Sequence, residues 1–206
     1  MIKLMVCLYL FCPYLLMAQF GVKAGLNFAN VTNASSINSS SSTGFHAGIF
    51  LAGPSKGVLS SLTELQYSRQ GYKYSTNTNT GTVNLNYLIL PQFMAINITK
   101  FVQIQVGAQI AYLLNASIDS TSATGNASED DIIELYNRFD FGFGGGVEVH
   151  PFHFLVVGAR INLFYGQLYK EPDPEDPIPP FVPDIDATNN LFQLYAGYKF
   201  GKKEVE

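Results

Sequence analysis

The sequence predicts an all-β fold: an eight-stranded antiparallel up-and-down transmembrane β-barrel. Three observations carry the prediction. Hydrophobicity alternates with a period of two along most of the chain, the mark of strands with one apolar face. The connections between these stretches alternate between short and long. The faces opposite the apolar ones carry charges and amides too numerous for the dry core of a soluble barrel, where each unpaired charge costs several kcal/mol. Composition agrees. Charged residues make up 14% of the 206 residues, against about 25% in ordinary soluble domains.

The chain opens on Lys3, an apolar run from Leu4 to Met17 interrupted by Pro13, and Ala18 before Gln19. This pattern predicts a signal peptide over residues 1–18. A short anchor helix is the alternative, and the run falls short of the roughly 20 residues a spanning helix needs. Cys7 and Cys12 both lie in this leader, so the mature chain would have no disulfide and no thiolate metal site. Removing Lys3 takes the net charge from −4 to −5, which argues against a nucleic-acid partner.

The barrel is expected over residues 19–200 and a short periplasmic tail over 201–206. The first strand, Gln19 to Val31, sets Phe20, Val22, Ala24, Leu26 and Phe28 against Gly21, Lys23, Gly25 and Asn27. The second, Gly44 to Ala52, puts Phe45, Ala47, Ile49 and Leu51 on one face, and Gly53 to Gly57 forms a tight turn. The third runs from Val58 to about Tyr74, with Leu59, Leu65 and Tyr67 on the apolar face. The fourth, Val83 to Ile96, is expected to turn Leu85, Tyr87, Ile89 and Phe93 outward and Asn84, Asn86 and Gln92 inward. After a turn at Asn97 to Lys100, the fifth strand alternates most cleanly: Val102, Ile104, Val106, Ala108 and Ile110 against Gln103, Gln105, Gly107 and Gln109. A long loop is expected from Asn115 to about Tyr136, with a helical turn near Asp130 to Tyr136.

The sixth strand, Asn137 to Val149, sets Phe139, Phe141, Phe143, Val147 and Val149 against Arg138, Asp140, Gly142, Gly144, Gly146 and Glu148. A turn at His150 to His153 leads into the seventh, where Leu155 to Tyr165 alternate with Gly158, Arg160 and Asn162. An acidic, Pro-rich loop covers roughly 167–188. The eighth sets Phe192, Leu194, Ala196, Tyr198 and Phe200 against Gln193, Tyr195, Gly197 and Lys199. Most of these strands exceed the usual soluble length of about 5–6 residues and suffice to cross a bilayer at a steep tilt. Closure satisfies every backbone polar group, which an open sheet in lipid cannot do.

With the apolar faces turned to lipid, Lys23, Glu64, Arg138, Asp140, Glu148 and Arg160 form a structural polar ladder in the lumen. Tyr67, Tyr72, Tyr74, Tyr87, Tyr112, Tyr165 and Tyr198 suit interfacial girdles, with the ordinary β-propensity of Tyr as the alternative. Tyr198-Lys-Phe200 looks like the C-terminal signal read by barrel-assembly machinery.

The runs Glu64-Leu-Gln-Tyr-Ser-Arg-Gln-Gly71, Leu85-Asn-Tyr-Leu-Ile-Leu-Pro91, Phe141-Gly-Phe-Gly-Gly-Gly146 and Gly197-Tyr-Lys-Phe200 together resemble the PorT-like outer-membrane β-barrel family. The resemblance covers the whole mature chain. It implies an eight-stranded barrel in the outer membrane of a Gram-negative bacterium. Both termini of the barrel are expected in the periplasm. It implies no single activity: some members are associated with secretion or gliding systems.

No catalytic, cofactor or metal site is expected. His150 and His153 have only Glu148 as a nearby carboxylate. His46 has no serine and acid at a spacing that suggests a hydrolase. The acidic run Glu171 to Pro177 lacks the glycine and alternation of a calcium loop. The expected role is that of a non-enzymatic outer-membrane protein, in contact with outer-membrane lipid and with a protein partner or surface ligand through its outer loops. Three alternatives stay open: a secretion or gliding accessory subunit that binds periplasmic partners, a small barrel enzyme, and a soluble lipocalin-like binder.

Overall fold

The computed structural model describes residues 19–32, 40–53, 57–75, 79–122, 127–170 and 187–200. The expected leader (1–18), the tail (201–206) and most of the acidic loop lie outside the described residues. The strands are β1 (Gln19–Thr32), β2 (Ser40–Ala52), β3 (Leu59–Ser75), β4 (Asn79–Asn97), β5 (Val102–Ser122), β6 (Ala127–Asp131), β7 (Phe139–Phe152), β8 (Leu155–Phe164) and β9 (Thr188–Phe200). A 3-10 turn, Ile133–Leu135, falls where a helical turn is expected.

Every described pairing is antiparallel between sequence neighbours, apart from β5 with β7 and the closing pair β1 with β9. Eight strands thus close a barrel. The short β6 stands outside the ring and pairs with the upper part of β5, Ser117 to Thr121. Gln19 and Phe200 lie at the same end, where Phe20 and Phe200 stack at 5.6 Å.

The opposite end differs from the expectation of long loops. There β3, β4 and β5 reach 17, 19 and 21 residues, against 10 for β8. The long connections expected at 75–82 and 115–136 are therefore largely strand. Thr80, Thr82 and Thr121 have the β-branched side chains that favour extended backbone, and they extend the β4–β5 ladder to Asn79 and Ser122. At the termini end the turn after β7 is tighter than expected, since β7 runs through Pro151 to Phe152.

Outside, Val22, Leu26, Ile49, Leu65, Ile104, Val106, Ile110, Phe141, Val147, Ile161 and Leu194 form an exposed apolar belt. A soluble protein would bury such a surface.

The fourth strand faces opposite to expectation. Leu85, Tyr87, Ile89 and Phe93 are 1%, 2%, 1% and 1% exposed, whereas Leu88, Leu90 and Met94 are 39%, 43% and 47% exposed. Asn86 and Gln92 share the outward row. The stretch Leu85-Asn-Tyr-Leu-Ile-Leu90 is apolar on both faces, so a period of two identifies a strand without choosing its lipid side. The choice follows from the lumen, where Leu85, Tyr87 and Ile89 meet Leu113, Ala116 and Ile118 of β5 in one apolar cluster and Phe93 packs with Phe50, Leu62 and Val156 in another. Tyr72, Tyr74 and Tyr87 are buried in the same cluster and do not join an outer girdle; Tyr67, Tyr165 and Tyr198 are exposed as a girdle requires.

Candidate functional site

The lumen is filled in layers, and their order follows from positions along β8 and β9. Nearest the termini lies a charge cluster. Lys23 and Arg160 point inward from β1 and β8 because their neighbours Val22 and Ile161 belong to the apolar belt. Glu64 receives both cations: Lys23 Nζ donates to Oε1 at 2.5 Å, and the Arg160 guanidinium donates to both oxygens at 2.9 and 3.0 Å. Gln66 donates to the same carboxylate. Glu148 lies 3.8 Å from Lys23 and accepts from Gln105 at 3.0 Å and Tyr195 at 3.1 Å. Its other oxygen meets His150 at 2.8 Å, and Lys199 stands 3.3 Å from that imidazole. Aromatic faces complete the enclosure, with Lys23 4.4 Å over Tyr195 and Arg160 4.1 Å over Phe93. Two cations and two carboxylates balance, which lets a group of charges this buried persist.

Farther along, amides take over. Asn27 donates to Ser68 (2.9 Å) and to the carbonyls of Phe45 (3.0 Å) and Arg69 (2.9 Å). Its Oδ1 faces His46 Nδ1 at 2.7 Å and accepts from Gln193 at 3.1 Å, and Gln193 in turn accepts from Asn162 at 2.9 Å. Gly144 leaves room on this wall: a Cβ there would lie 2.5 Å from Asn162 Oδ1 and 2.9 Å from the Phe93 ring.

The far end is closed by a cap. Tyr136 and Tyr169 form an isolated bridge, with Asn137 N–H donating to Leu168 O and Lys170 N–H to Leu135 O, each at 3.0 Å. The phenols of Tyr72, Tyr136 and Tyr169 meet inside this cap, with Tyr136 and Tyr169 at 3.1 Å. Burial holds the phenols of Tyr136 and Tyr169 protonated well above the usual tyrosine range. Ile132, Phe164, Leu168, Ala187 and Leu191 surround them. The upper lumen is therefore an apolar core like that of a soluble domain.

Of the six residues expected in one ladder, the structure brings four together: Lys23, Glu64, Glu148 and Arg160. Asp140 is buried apart from them and caps backbone, its Oδ1 accepting from Phe141 N–H (2.7 Å) and Gly166 N–H (2.8 Å). Arg138 is a correction: it is exposed, because β7 begins at Phe139 and the alternation does not extend back to it. The sequence reading also missed the tyrosine cap, whose members come from β3 and two connecting segments. Only the inward parity of Tyr72 hinted at it.

His46 Nδ1 faces the Asn27 side-chain oxygen. Among the described residues, no three of His, Cys, Asp and Glu converge as metal ligands.

Residues 13–163 match the family model described as outer membrane protein beta-barrel domain. No curated protein matches the chain. Among solved structures, Neisserial surface protein A superposes with a TM-score of 0.55 at 17% identity, covering 88% of this chain and 97% of that one. The attachment invasion locus protein Ail of Yersinia pestis superposes with a TM-score of 0.51 at 14% identity, covering 89% and 99%. At these identities the likeness is one of fold.

Proposed function

The chain belongs to the outer membrane protein beta-barrel domain family, and from that premise we propose that it is a non-enzymatic outer-membrane barrel with a closed lumen. Both termini face the periplasm, and the tall wall of β3, β4 and β5 stands outside the cell as a contact surface. One observation carries this reading: ion cluster, amide layer and tyrosine cap fill the lumen along its length, which leaves structure and surface contact as its work. Planar-bilayer recording tests it. The folded protein should show no steady conductance; a stable open channel would overturn the reading.

The finer PorT-like assignment, with a role as an accessory subunit of a secretion or gliding system, is the second reading. It is favoured by the continuous aromatic surface at the termini end, where Phe152, Phe154, Tyr198, Phe200 and Phe20 contact in series at 5.1–5.6 Å. Crosslinking in whole envelopes distinguishes the two: recovery of a defined periplasmic complex supports the second, and its absence the first.

A further inference from the structure

One wall of the barrel turns polar side chains toward lipid. On β1, β2, β5, β7, β8 and β9 the outward rows within 20–28, 45–51, 102–112, 139–149, 155–163 and 192–200 offer only aliphatic or aromatic side chains, apart from Gly145. The neighbouring β3 and β4 differ. Gln92 on β4 is exposed between Leu90 and Met94, which are 43% and 47% exposed in the same row. It stands five residues from Asn97, where the strand ends. In a strand tilted by about 45° each residue climbs ~2.4 Å, which puts Gln92 ~12 Å up, at the middle of an apolar band about 25 Å tall.

Thr63 faces Gln92 across β3 and β4, and its hydroxyl donates to Gln92 Oε1 at 2.6 Å. That bond uses one lone pair of the amide. A second lone pair and both N–H donors are left over, and among the described residues nothing meets them. Water is absent at this depth, so leaving them open is costly. Where spanning helices meet, such amides hydrogen-bond across the contact, beside small residues that let the backbones approach. The same physics holds for a strand wall. On its other side Gln92 pairs in register with the exposed Ala108 of β5, whose side chain is short enough to let a second wall come close.

We propose that this face docks a second copy of the chain within the membrane, with the two Gln92 amides hydrogen-bonded to each other across a two-fold axis. Copies inserted by the same route share one orientation, so the axis lies along the membrane normal and each residue meets its counterpart at equal depth. A carboxamide is its own complement: each donates an N–H to the Oε1 of the other, whose second lone pair is free. An unlike protein would need a matching group at that depth, whereas a second copy supplies it by symmetry. Two convex walls touch along a narrow strip, and lipid fills both sides of it. The proposal rests on the outer-membrane placement proposed above.

The test follows energy transfer between copies of the mature protein in phosphatidylcholine vesicles as lipid is added. Donor or acceptor dye is carried on Lys100→Cys, in the exposed turn between β4 and β5. Transfer should exceed that of random proximity, and Gln92→Leu, a change that lipid tolerates, should lower the lipid dilution that halves it about tenfold. Ala108→Phe should also weaken pairing, whereas Ala196→Phe, on β9 across the ring from β4, should not. Transfer at the random level in every dilution, as a wall that meets only lipid or an unlike protein gives, would overturn the proposal. So would an unaltered Gln92→Leu variant, or equal effects of the two phenylalanines. Gel mobility before and after boiling is read on the same samples. Compact protein without transfer leaves the barrel reading standing and sinks the pairing; protein that does not run compact when unheated overturns the barrel reading itself, and the proposal with it.

Discussion

Replacing Glu64 with Gln should be the most damaging single change of charge in this protein. Glu64 is 1% exposed and is the carboxylate to which both Lys23 and the Arg160 fork donate. Gln keeps its shape but removes the charge and turns an amide N–H₂ toward a cation. Lys23 is then left with Glu148, 3.8 Å away and already engaged by Gln105, Tyr195 and His150. Breaking a buried pair by removing one partner costs about 3–5 kcal/mol. The cluster would keep two cations against one carboxylate, so the upper part of that range is expected. Adding Lys23→Met restores the balance, leaving Arg160 with Glu148, and should recover more than half of the loss. The assay is reversible urea unfolding in micelles, followed by tyrosine fluorescence (the chain has no Trp) and by gel mobility. A loss below about 1 kcal/mol, the range of an exposed pair, would refute the reasoning, as would a double variant no more stable than the single one.

Three further outcomes are expected in the same unfolding assay or beside it. Arg160→Gln should destabilise strongly, whereas Arg138→Gln should stay within about 0.5 kcal/mol of the parent; equal losses would contradict the exposed placement of Arg138. Gly144→Val should prevent folding or cost several kcal/mol, since even its Cβ would lie 2.5 Å from Asn162 Oδ1 and 2.9 Å from Phe93; a neutral result would show that the lumen is loosely filled. Tyr169→Ala should leave heat-modifiable mobility intact but open the cap, read as faster proteolysis of the connections around 132–138 and 165–170; cleavage at the parental rate would mean that the cap is held elsewhere.

Some of this was legible in the residues. In β5 each of Gln103, Gln105 and Gln109 sits between aliphatic neighbours, so polarity alone assigns the faces, and the structure follows it. The same holds for Lys23 in β1 and Arg160 in β8. In β4 the signal fails because both rows are apolar, and the decision passes to non-local neighbours on β5 that no local pattern encodes. Arg138 shows a different limit: alternation is reliable inside a strand and says nothing one residue before it starts. The meeting of the lumen charges was legible only as a shared face. That Glu64 accepts from Lys23 and Arg160 while Asp140 serves backbone depends on the register across eight strands, as does the bridge between Tyr136 and Tyr169.

The central claim is that the alternating apolar face meets lipid around a filled lumen. The mature chain expected from the sequence has no cysteine, so single spin labels at Leu88→Cys, Leu90→Cys, Ile104→Cys and Val106→Cys report on that face without competition. In bilayers, all four labels should relax faster with oxygen, which concentrates in lipid, and should resist a water-soluble nickel chelate. Strong relaxation by the chelate at these positions would contradict the account, because it would put the apolar face of β4 and β5 in water.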